Sequence, residues 1–381
     1  MSGRQTALAW AYLSRVAEAP CAEVAALVRR VGPEEAAERI RRGAVSEEVA
    51  VRTEARREID CAAADLELLH SRKGRLVTPM DDEWPVVAFA AFGGVQVRDR
   101  PQGRAPLVLW AVGPLRLDEL ADRSAAIVGT RAATAYGAHV AAELSAGLVE
   151  RDVAVVSGGA YGIDGAAHRA ALAAEGSTAA VLAGGIDVLY PAGHSALLHR
   201  IAGSGLLVSE YPPGVRPARH RFLTRNRLVA ALSSATVVVE AAMRSGAAST
   251  AAWARALGRV VAAVPGPVTS GASAGCHALL RSGAELVTRP AEVLEIVGRV
   301  GELAPDLPRP EHLLDNLTEV QRQVFEALPG RGARTPDQIA VAAGLPAHSV
   351  LGPLASLEIC GLVQRQDGRW RLAPRAQVAD G

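Results

Sequence analysis

The chain has 381 residues, with 41 Lys and Arg against 40 Asp and Glu, and 49% of its residues are hydrophobic. This length predicts two to four domains, and the hydrophobic fraction excludes a largely disordered chain. No uninterrupted apolar run reaches about 18 residues, so we expect no membrane span. The N-terminus predicts an amphipathic helix and not a signal peptide.

Cysteine and lysine usage narrows the class of protein further. The cysteines, Cys21, Cys61, Cys276 and Cys360, are far apart and form no C-x-x-C pair. This pattern disfavours a disulfide framework and a structural zinc site, and it predicts a cytoplasmic protein. Every basic residue except Lys73 is arginine, so no G-x-x-x-x-G-K-[ST] phosphate loop is present. The histidines lack metal-binding spacing, and we expect no metal and no cofactor.

Residues 1–72 have apolar positions at helical spacing, interrupted at Gly32-Pro33. They carry 11 basic and 12 acidic residues. The pattern predicts a small helical N-terminal domain.

Residues 73–300 change character from about residue 107 onward. Short apolar runs alternate with Ala-rich stretches of helical length, and several runs end in Gly or Ser directly before a helix. This alternation predicts an α/β fold with a doubly wound, mostly parallel sheet covered by helices on both faces. Ligands of such sheets bind at the carboxyl ends of the strands. The runs are PLVLWAVG, AAIVGT, VAVVSGG, TAAVLAGG, GLLVSEY, ATVVVEA, RVVAAVPG and AELVT.

The C-terminal part of the chain predicts a linker and a further domain. Residues 301–316 include three prolines within APDLPRPEH, a composition typical of linkers. Residues 317–374 predict three helices and a hairpin turning at Asp367-Gly368, which together make a winged helix.

Three strand-to-helix turns are candidate phosphate sites, because free N–H groups at a helix N-terminus attract anions. The first contains Gly129, Thr130 and Arg131, and Arg131 adds a charged fork. The others are Ser157-Gly158-Gly159 and Ser245-Gly246. The alternative for each is a purely structural tight turn.

Several polar residues near the same strand ends have two interpretations. Asp164 and His168 form either an acid–base pair or a helix cap in which His168 holds Asp164, and we favour the cap. Glu240 is either a general base or an anchor for neighbouring loops. Asp187 and Tyr190 follow the next strand, and Tyr190 either stacks on a base or joins the core.

The strongest electrostatic signal lies between Glu210 and Glu240, where no acidic residue occurs. Residues 123–300 carry 16 basic and 11 acidic residues, an excess of five positive charges. Arginines with interleaved aromatics predict a track for single-stranded nucleic acid. The alternatives are an ordinary basic loop or pairing with distant carboxylates. The residues are Arg216, Arg219, Arg221, Arg225 and Arg227, with Tyr211, His220, Phe222 and Asn226 among or beside them.

The predicted winged helix lacks a typical DNA-reading helix. Its third helix, within PAHSVLGPLASLEIC, contains no Arg or Lys, whereas helices that read the major groove present such side chains to base edges. Only the hairpin is basic, with Arg365, Arg369 and Arg371. We therefore expect a protein contact or a weak backbone contact from this unit.

Together these motifs resemble the DNA-processing protein A family, DprA, also called Smf. The matching stretches follow the family's order over about 125–288, with weaker resemblance on both sides. They are VGTRAATAYG, SGGAYGIDGAAHRAAL, AVLAGGIDVLYPAGH, SEYPPG, FLTRNRLVAALS, VVVEAAMRSGAASTA, VPGPV and GCHALLRSGAELV.

The resemblance implies an extended Rossmann-like domain with a helical N-terminal domain and a C-terminal winged helix. It implies a non-enzymatic, homodimeric protein that binds single-stranded DNA and delivers RecA recombinase onto it during natural transformation. His194 and His277 stand where the family has Asn. The residues expected to contact DNA are Gly129, Thr130, Arg131, Ser157, Gly158, Gly159, Tyr190, Arg221, Phe222, Arg225, Asn226, Arg227, Ser245 and Gly246, with Asp164, His168, Asp187 and Glu240 as supporting polar groups.

Two other classes of function stay open. One is a Rossmann-like nucleotide-binding hydrolase that uses Asp164, His168 and Glu240, and the other is a winged-helix DNA-binding regulator. Residues 1–72 and 301–381 carry net charges of −1 and −2. Because these segments are acidic, we expect both to add little affinity for DNA.

Overall fold

The computed structural model describes residues 2–298 and 317–373, which form two compact units. The predicted linker over 301–316 lies outside the described residues. Within the described ranges, no single helix is long and apolar enough to span a membrane. One pair, Pro336–Ala343 and Ala347–Ile359, passes that test on length and composition alone and is bent by 102°.

The first unit is built on a nine-stranded sheet with the order β1-β2-β6-β5-β4-β3-β7-β8-β9. The first two strands are antiparallel to their neighbours and the remaining pairs are parallel, so the predicted mostly parallel sheet is confirmed. The strands are β1 (Gly74–Val77), β2 (Leu109–Val112), β3 (Ser124–Val128), β4 (Ala154–Ser157), β5 (Thr178–Leu182), β6 (Leu206–Ser209), β7 (Ala235–Val238), β8 (Val260–Ala263) and β9 (Glu285–Leu286).

Helices precede, connect and cover these strands. They are α1 (Ser2–Val16), α2 (Ala22–Val31), α3 (Pro33–Arg41), α4 (Glu47–Thr53), α5 (Ala62–Ser71), α6 (Val86–Ala90), α7 (Val95–Arg98), α8 (Leu117–Asp122), α9 (Ala135–Val149), α10 (Ile163–Ala173), α11 (Ser195–Ser204), α12 (Arg219–Ala231), α13 (Gly246–Ala256), α14 (Ala274–Arg281) and α15 (Pro290–Val297).

Alternating side chains of the central strands enter two different cores. Ala126 and Val128 of β3 face a cluster that includes Leu228 of α12 and Trp253 of α13. Ile127, between them, faces α9, α10 and α15 on the other side. Both faces of the sheet are therefore covered, as the near-continuous apolar strands predict.

The N-terminal helices share a core with one end of the sheet. Trp10 and Leu13 of α1 belong to the same buried cluster as Trp110 of β2 and Leu207 of β6. The segment 1–72 is helical, as predicted, and lies in the same compact unit as the sheet. The division of this unit into separate domains at residues 1–72 and 73–300 stays a prediction.

The second unit contains α16 (Glu319–Glu326), α17 (Pro336–Ala343), α18 (Leu351–Ile359) and the antiparallel hairpin of β10 (Val363–Gln366) and β11 (Arg369–Leu372). The hairpin turns at Asp367 and Gly368, which both have positive φ, as the sequence predicts. Trp370 of β11 and Leu354 of α18 belong to one small core. The predicted winged helix is confirmed, although residue 374 lies outside the described residues.

Candidate nucleic-acid interface

A cleft of about 1020 Å³ lies at the carboxyl ends of β3, β4, β5 and β7. Register explains this location, because Val128 of β3 pairs with Val238 of β7 and Ser157 of β4 pairs with Ala180 of β5. The strand ends therefore meet at one edge. One carboxylate lines the cleft, that of Asp164, together with five arginines. The arginines are Arg131, Arg216, Arg219, Arg225 and Arg244.

The turn between β3 and α9 presents Arg131 to solvent. The Thr130 N–H donates to the Glu240 carbonyl (2.7 Å), and the Glu240 carboxylate accepts from the Thr134 N–H (3.0 Å) and hydroxyl (2.5 Å). Both carboxylate oxygens of Glu240 are thus bonded to the turn. This geometry matches the anchoring role.

Gly129 allows the turn after β3 to approach the start of α10 closely. A Cβ at Gly129 would clash with the Ile163 side chain, so this approach requires glycine there.

The predicted Asp164–His168 bond is replaced by two separate contacts. Asp164 accepts from the N–H groups of Gly158 (3.1 Å) and Ala160 (3.3 Å), ahead of α10. Burial raises the pKa of Asp164, although nearby Arg225 opposes this. His168 bonds the Thr178 hydroxyl instead (2.7 Å), because its ring points into the core under β4 and β5. Burial lowers the pKa of His168 to about 3, so the ring is neutral at pH 7. Neither the acid–base pair nor the His168-held cap is formed.

Aromatic and cationic groups stack along one wall of the cleft. The rings of Tyr190 and Phe222 lie 5.6 Å apart between centroids, and the guanidinium carbon of Arg131 lies 5.2 Å from the Phe222 ring. Tyr190 is 47% exposed. The structure therefore places Tyr190 at the surface, where a flat base can reach it, and not in the core.

Three arginines of the basic segment bond inward. The Arg225 guanidinium donates to the carbonyls of Gly158 (2.7 Å) and Val181, and burial lowers the pKa of Arg225. Arg227 has no exposed side-chain surface and pairs with Glu210 at 2.6 Å. Arg221 donates to Glu18 (2.7 Å), which lies 203 residues away in the chain.

These contacts place two of the expected DNA-contacting arginines outside the cleft. Arg221 and Arg227 are held by carboxylates outside the cleft and do not line it. The alternative of pairing with distant carboxylates describes both of them. Arg225 reaches the cleft wall but ties α12 to β4 and β5, so only part of its guanidinium faces the ligand space.

At the end of β4 and in the turn after it, Ser157 and Gly159 do not line the cleft. The Ser157 hydroxyl is fully buried and donates to the Ile127 carbonyl (2.7 Å). Gly159 has φ +69° and is buried beside Leu198. Gly158 does line the cleft, and a Cβ there would clash with the Arg225 guanidinium.

The beginning of helix α13 also lines the cleft. Ser245 caps it by accepting from the Ala248 N–H (3.2 Å), and Asn226 donates to the Gly246 carbonyl (3.3 Å). Ser245, Gly246 and Asn226 all line the cleft, and their contact with DNA stays a prediction. Arg244, directly before this cap, was not among the predicted DNA contacts. Its signal was its position after β7, at the same edge as the other turns.

The remaining predicted polar groups stabilise loops. Asp187 accepts from the Gly214 N–H (2.8 Å). His194 bonds the Gly159 carbonyl (3.1 Å) and His277 bonds the Gly266 carbonyl (3.0 Å). Both histidines therefore bond a backbone carbonyl of a neighbouring loop. The described residues contain no group of three or more His, Cys, Asp or Glu that could hold a metal ion.

The fold and the cleft define a class: an extended Rossmann-like protein with an arginine-lined edge, followed by a winged helix. Residues 75–298 match the family model of DNA recombination-mediator protein A, and residues 308–369 match the DprA winged helix domain. The chain belongs to the DprA family.

Individual relatives agree with this assignment. A DprA protein of Mycobacterium tuberculosis is 73% identical over 96% of this chain and 94% of its own length. The crystal structure of DprA from Streptococcus pneumoniae is 31% identical, with a TM-score of 0.61 over 77% of this chain and 98% of that one. A Helicobacter pylori DprA structure, which concerns single-stranded DNA binding, is 28% identical, with a TM-score of 0.50 over 58% and 94%.

Proposed function

We propose that this protein binds single-stranded DNA in the cleft at the carboxyl edge of its sheet. The observation that carries the proposal is the cleft lining, in which five arginines accompany one carboxylate and Arg131 stacks on Phe222 beside Tyr190. Arginine forks suit phosphates, and exposed rings suit bases of any sequence. Single-stranded DNA binding by the Helicobacter pylori relative supports the same ligand.

The proposed activity is binding and not catalysis. A nucleotide hydrolase would need a general base facing the cleft, but both Glu240 oxygens accept hydrogen bonds from Thr134, and His168 is fully buried and does not line the cleft. A sequence-specific regulator is disfavoured because α18 has no basic side chain to enter a groove.

The wider role follows from the family. We infer that the protein acts in the cytoplasm as a homodimer and loads RecA recombinase onto incoming single-stranded DNA in natural transformation. Membership in the DprA family supports this role. Light scattering that gives a monomer at micromolar concentration would contradict the homodimer.

A titration by fluorescence anisotropy tests the ligand. We expect tight binding of oligo-dT, weaker binding of duplex and little binding of free nucleotides. Log affinity should fall with log salt by about 0.7 per phosphate contacted. Arg131→Ala should weaken binding and flatten this slope, whereas Arg200→Ala, on the exposed side of α11, should not. A flat salt response of the wild type, or nucleotide turnover that Glu240→Gln abolishes, would contradict the proposal.

A further inference from the structure

A second cavity, of about 290 Å³, lies where the N-terminal helices meet the loop between β6 and α12. Both sides contribute charged walls. Arg15 and Glu18 come from α1 and the residues after it, and Arg56 comes from the short turn after α4. Arg216 and Arg221 come from the arginine segment that leads into α12. We call this cavity the junction pocket.

The junction pocket has more positive than negative charge. Arg15 pairs with Asp65 (2.7 Å), which does not line the pocket. Arg56 and Arg221 share the single carboxylate of Glu18, each at 2.7 Å. Four arginines line the pocket, and their ion-pair partners are two carboxylates, Glu18 in the lining and Asp65 outside it, which leaves an excess of two positive charges.

Arg216 connects the junction pocket to the cleft. Its side chain lines both cavities and is exposed. Among the described residues, no carboxylate lies within ion-pair distance of its guanidinium. A polyanion that occupies the cleft therefore meets Arg216 next, and the junction pocket directly after it.

We propose that the junction pocket is a second binding site for the phosphate backbone of single-stranded DNA, entered when the strand leaves the cleft over Arg216. This inference rests on the proposed function of the cleft. Glu18 is then the resident counter-ion of Arg56 and Arg221, and an incoming phosphate replaces it. The exchange is chemically direct, because a guanidinium fork pairs with carboxylate and phosphate in the same bidentate geometry. Glu18 and Arg56 are 35% and 38% exposed, so a strand can reach both.

The proposal assigns part of the DNA path to residues 1–72. Their net charge of −1 predicts little contribution to affinity. However, net charge averages over the segment, whereas a strand encounters only the local field of Arg15 and Arg56. Deleting residues 1–72 is not a suitable test, because Trp110 and Leu207 would lose their core partners.

The test therefore uses full-length variants and two lengths of oligo-dT. One has about 4 nucleotides and fits the cleft, and the other has about 20 and extends beyond it. Arg56→Ala should lower affinity for the long strand at least about threefold and reduce its salt slope by about 0.7. It should leave the short strand unaffected, and Arg56→Lys should restore most of the loss. Arg30→Ala, on the exposed face of α2, is the matched control.

Glu18→Gln gives a result of opposite sign. If Glu18 competes with phosphate, its neutralisation should tighten binding of the long strand. If Glu18 only braces the junction, the same change should weaken binding or leave it unaltered, and either result overturns the proposal. Equal affinities of Arg56→Ala and Arg30→Ala for the long strand also overturn it. In that case, continued loss of binding in Arg131→Ala would show that the cleft proposal still stands. Failure of the wild type to bind either length would instead refute the proposed function itself.

Discussion

The basic segment from Arg216 to Arg227 has two halves, which are alike in arginine content but differ in their exposure to solvent. Arg216 and Arg219 are exposed at the cleft, whereas Arg225 and Arg227 are buried and bond inward. Helix α12 begins at Arg219 and enters the core from Thr224 onward. A run of like charges along the sequence therefore does not guarantee a charged surface patch. Where a helix enters the core, its later charged side chains are buried.

The buried half contributes geometry to the site. Arg225 bonds the carbonyls of Gly158 and Val181, which lie at or just after the ends of β4 and β5. These strand ends form the floor of the cleft. The exposed half supplies positive charge and is not tied to the strand ends by hydrogen bonds of this kind. The two halves should therefore respond differently to substitution.

The largest expected effect is on the buried half. Arg227→Ala leaves the Glu210 carboxylate buried without its partner, which should cost about 3–5 kcal/mol of unfolding free energy. Urea denaturation measures this loss. Arg219→Ala, in the exposed half, should change stability by less than about 0.5 kcal/mol. Replacing both partners, as Arg227→Met with Glu210→Leu, should recover much of the loss. Equal stabilities of Arg227→Ala and Arg219→Ala would contradict the structural role assigned to the buried half.

Phe222 lies between the two halves, and its substitution tests whether a DNA base stacks on the aromatic side chains of the cleft. Phe222→Ala removes the ring that contacts Tyr190 and Arg131 and should cost about 1–3 kcal/mol of oligo-dT binding. Phe222→Tyr keeps the ring and should bind like the wild type. Anisotropy at fixed salt is the measurement. Unchanged affinity in the alanine variant would mean that no base stacks there.

A smaller effect is expected at the exposed end. Arg219→Ala should reduce the salt slope of oligo-dT binding by about 0.7, the value for one lost phosphate contact. Sequence should not matter, because phosphate contacts carry no base information. Arg200→Ala serves again as the charge-matched control, and an equal slope for both variants would count against Arg219.

The smallest effect concerns Arg221, the intermediate case. Burial alone would raise the pKa of its partner Glu18, but hydrogen bonds from Arg221 and Arg56 outweigh it and lower the pKa from 4.5 to about 2. The unfolded chain therefore binds this proton more readily. The pair stabilises the fold above about pH 4.5, and this contribution is lost as the pH falls towards 2.

Glu18→Gln should remove that pH dependence. The difference in unfolding free energy between wild type and variant should shrink as the pH falls below 4.5. Urea denaturation at several pH values checks this. A difference that stays constant would show that the ion pair does not stabilise the fold.

Local patterns predicted most of the sheet. The eight apolar runs correspond to β2 through β9. Strands β3 through β7 are buried along their whole length, and buried strands of such sheets are continuously apolar. β1 was missed, since Gly74–Val77 is short and only partly buried, and its antiparallel pairing with β2 depends on contacts distant in the chain.

The site shows the same division. Gly129, Arg131, Tyr190 and Phe222 are recognisable because they lie in or beside strand-end turns and next to basic residues. The inward bonding of Arg227 depends on Glu210, which lies on a different element and whose side chain the sequence does not place. Pairing across separate elements is a property of the folded chain, so no local pattern predicts it.

The core that α1 shares with β2 and β6 has a consequence for synthesis on the ribosome. Trp10 and Leu13 emerge early, but their partner Leu207 is made only after β3, β4 and β5. Until then the apolar face of α1 lacks part of its cover, and a nascent chain in that state exposes surface that promotes aggregation. We therefore expect the early chain to depend on chaperones, and a translational pause between β2 and β6 to lower the yield of soluble protein.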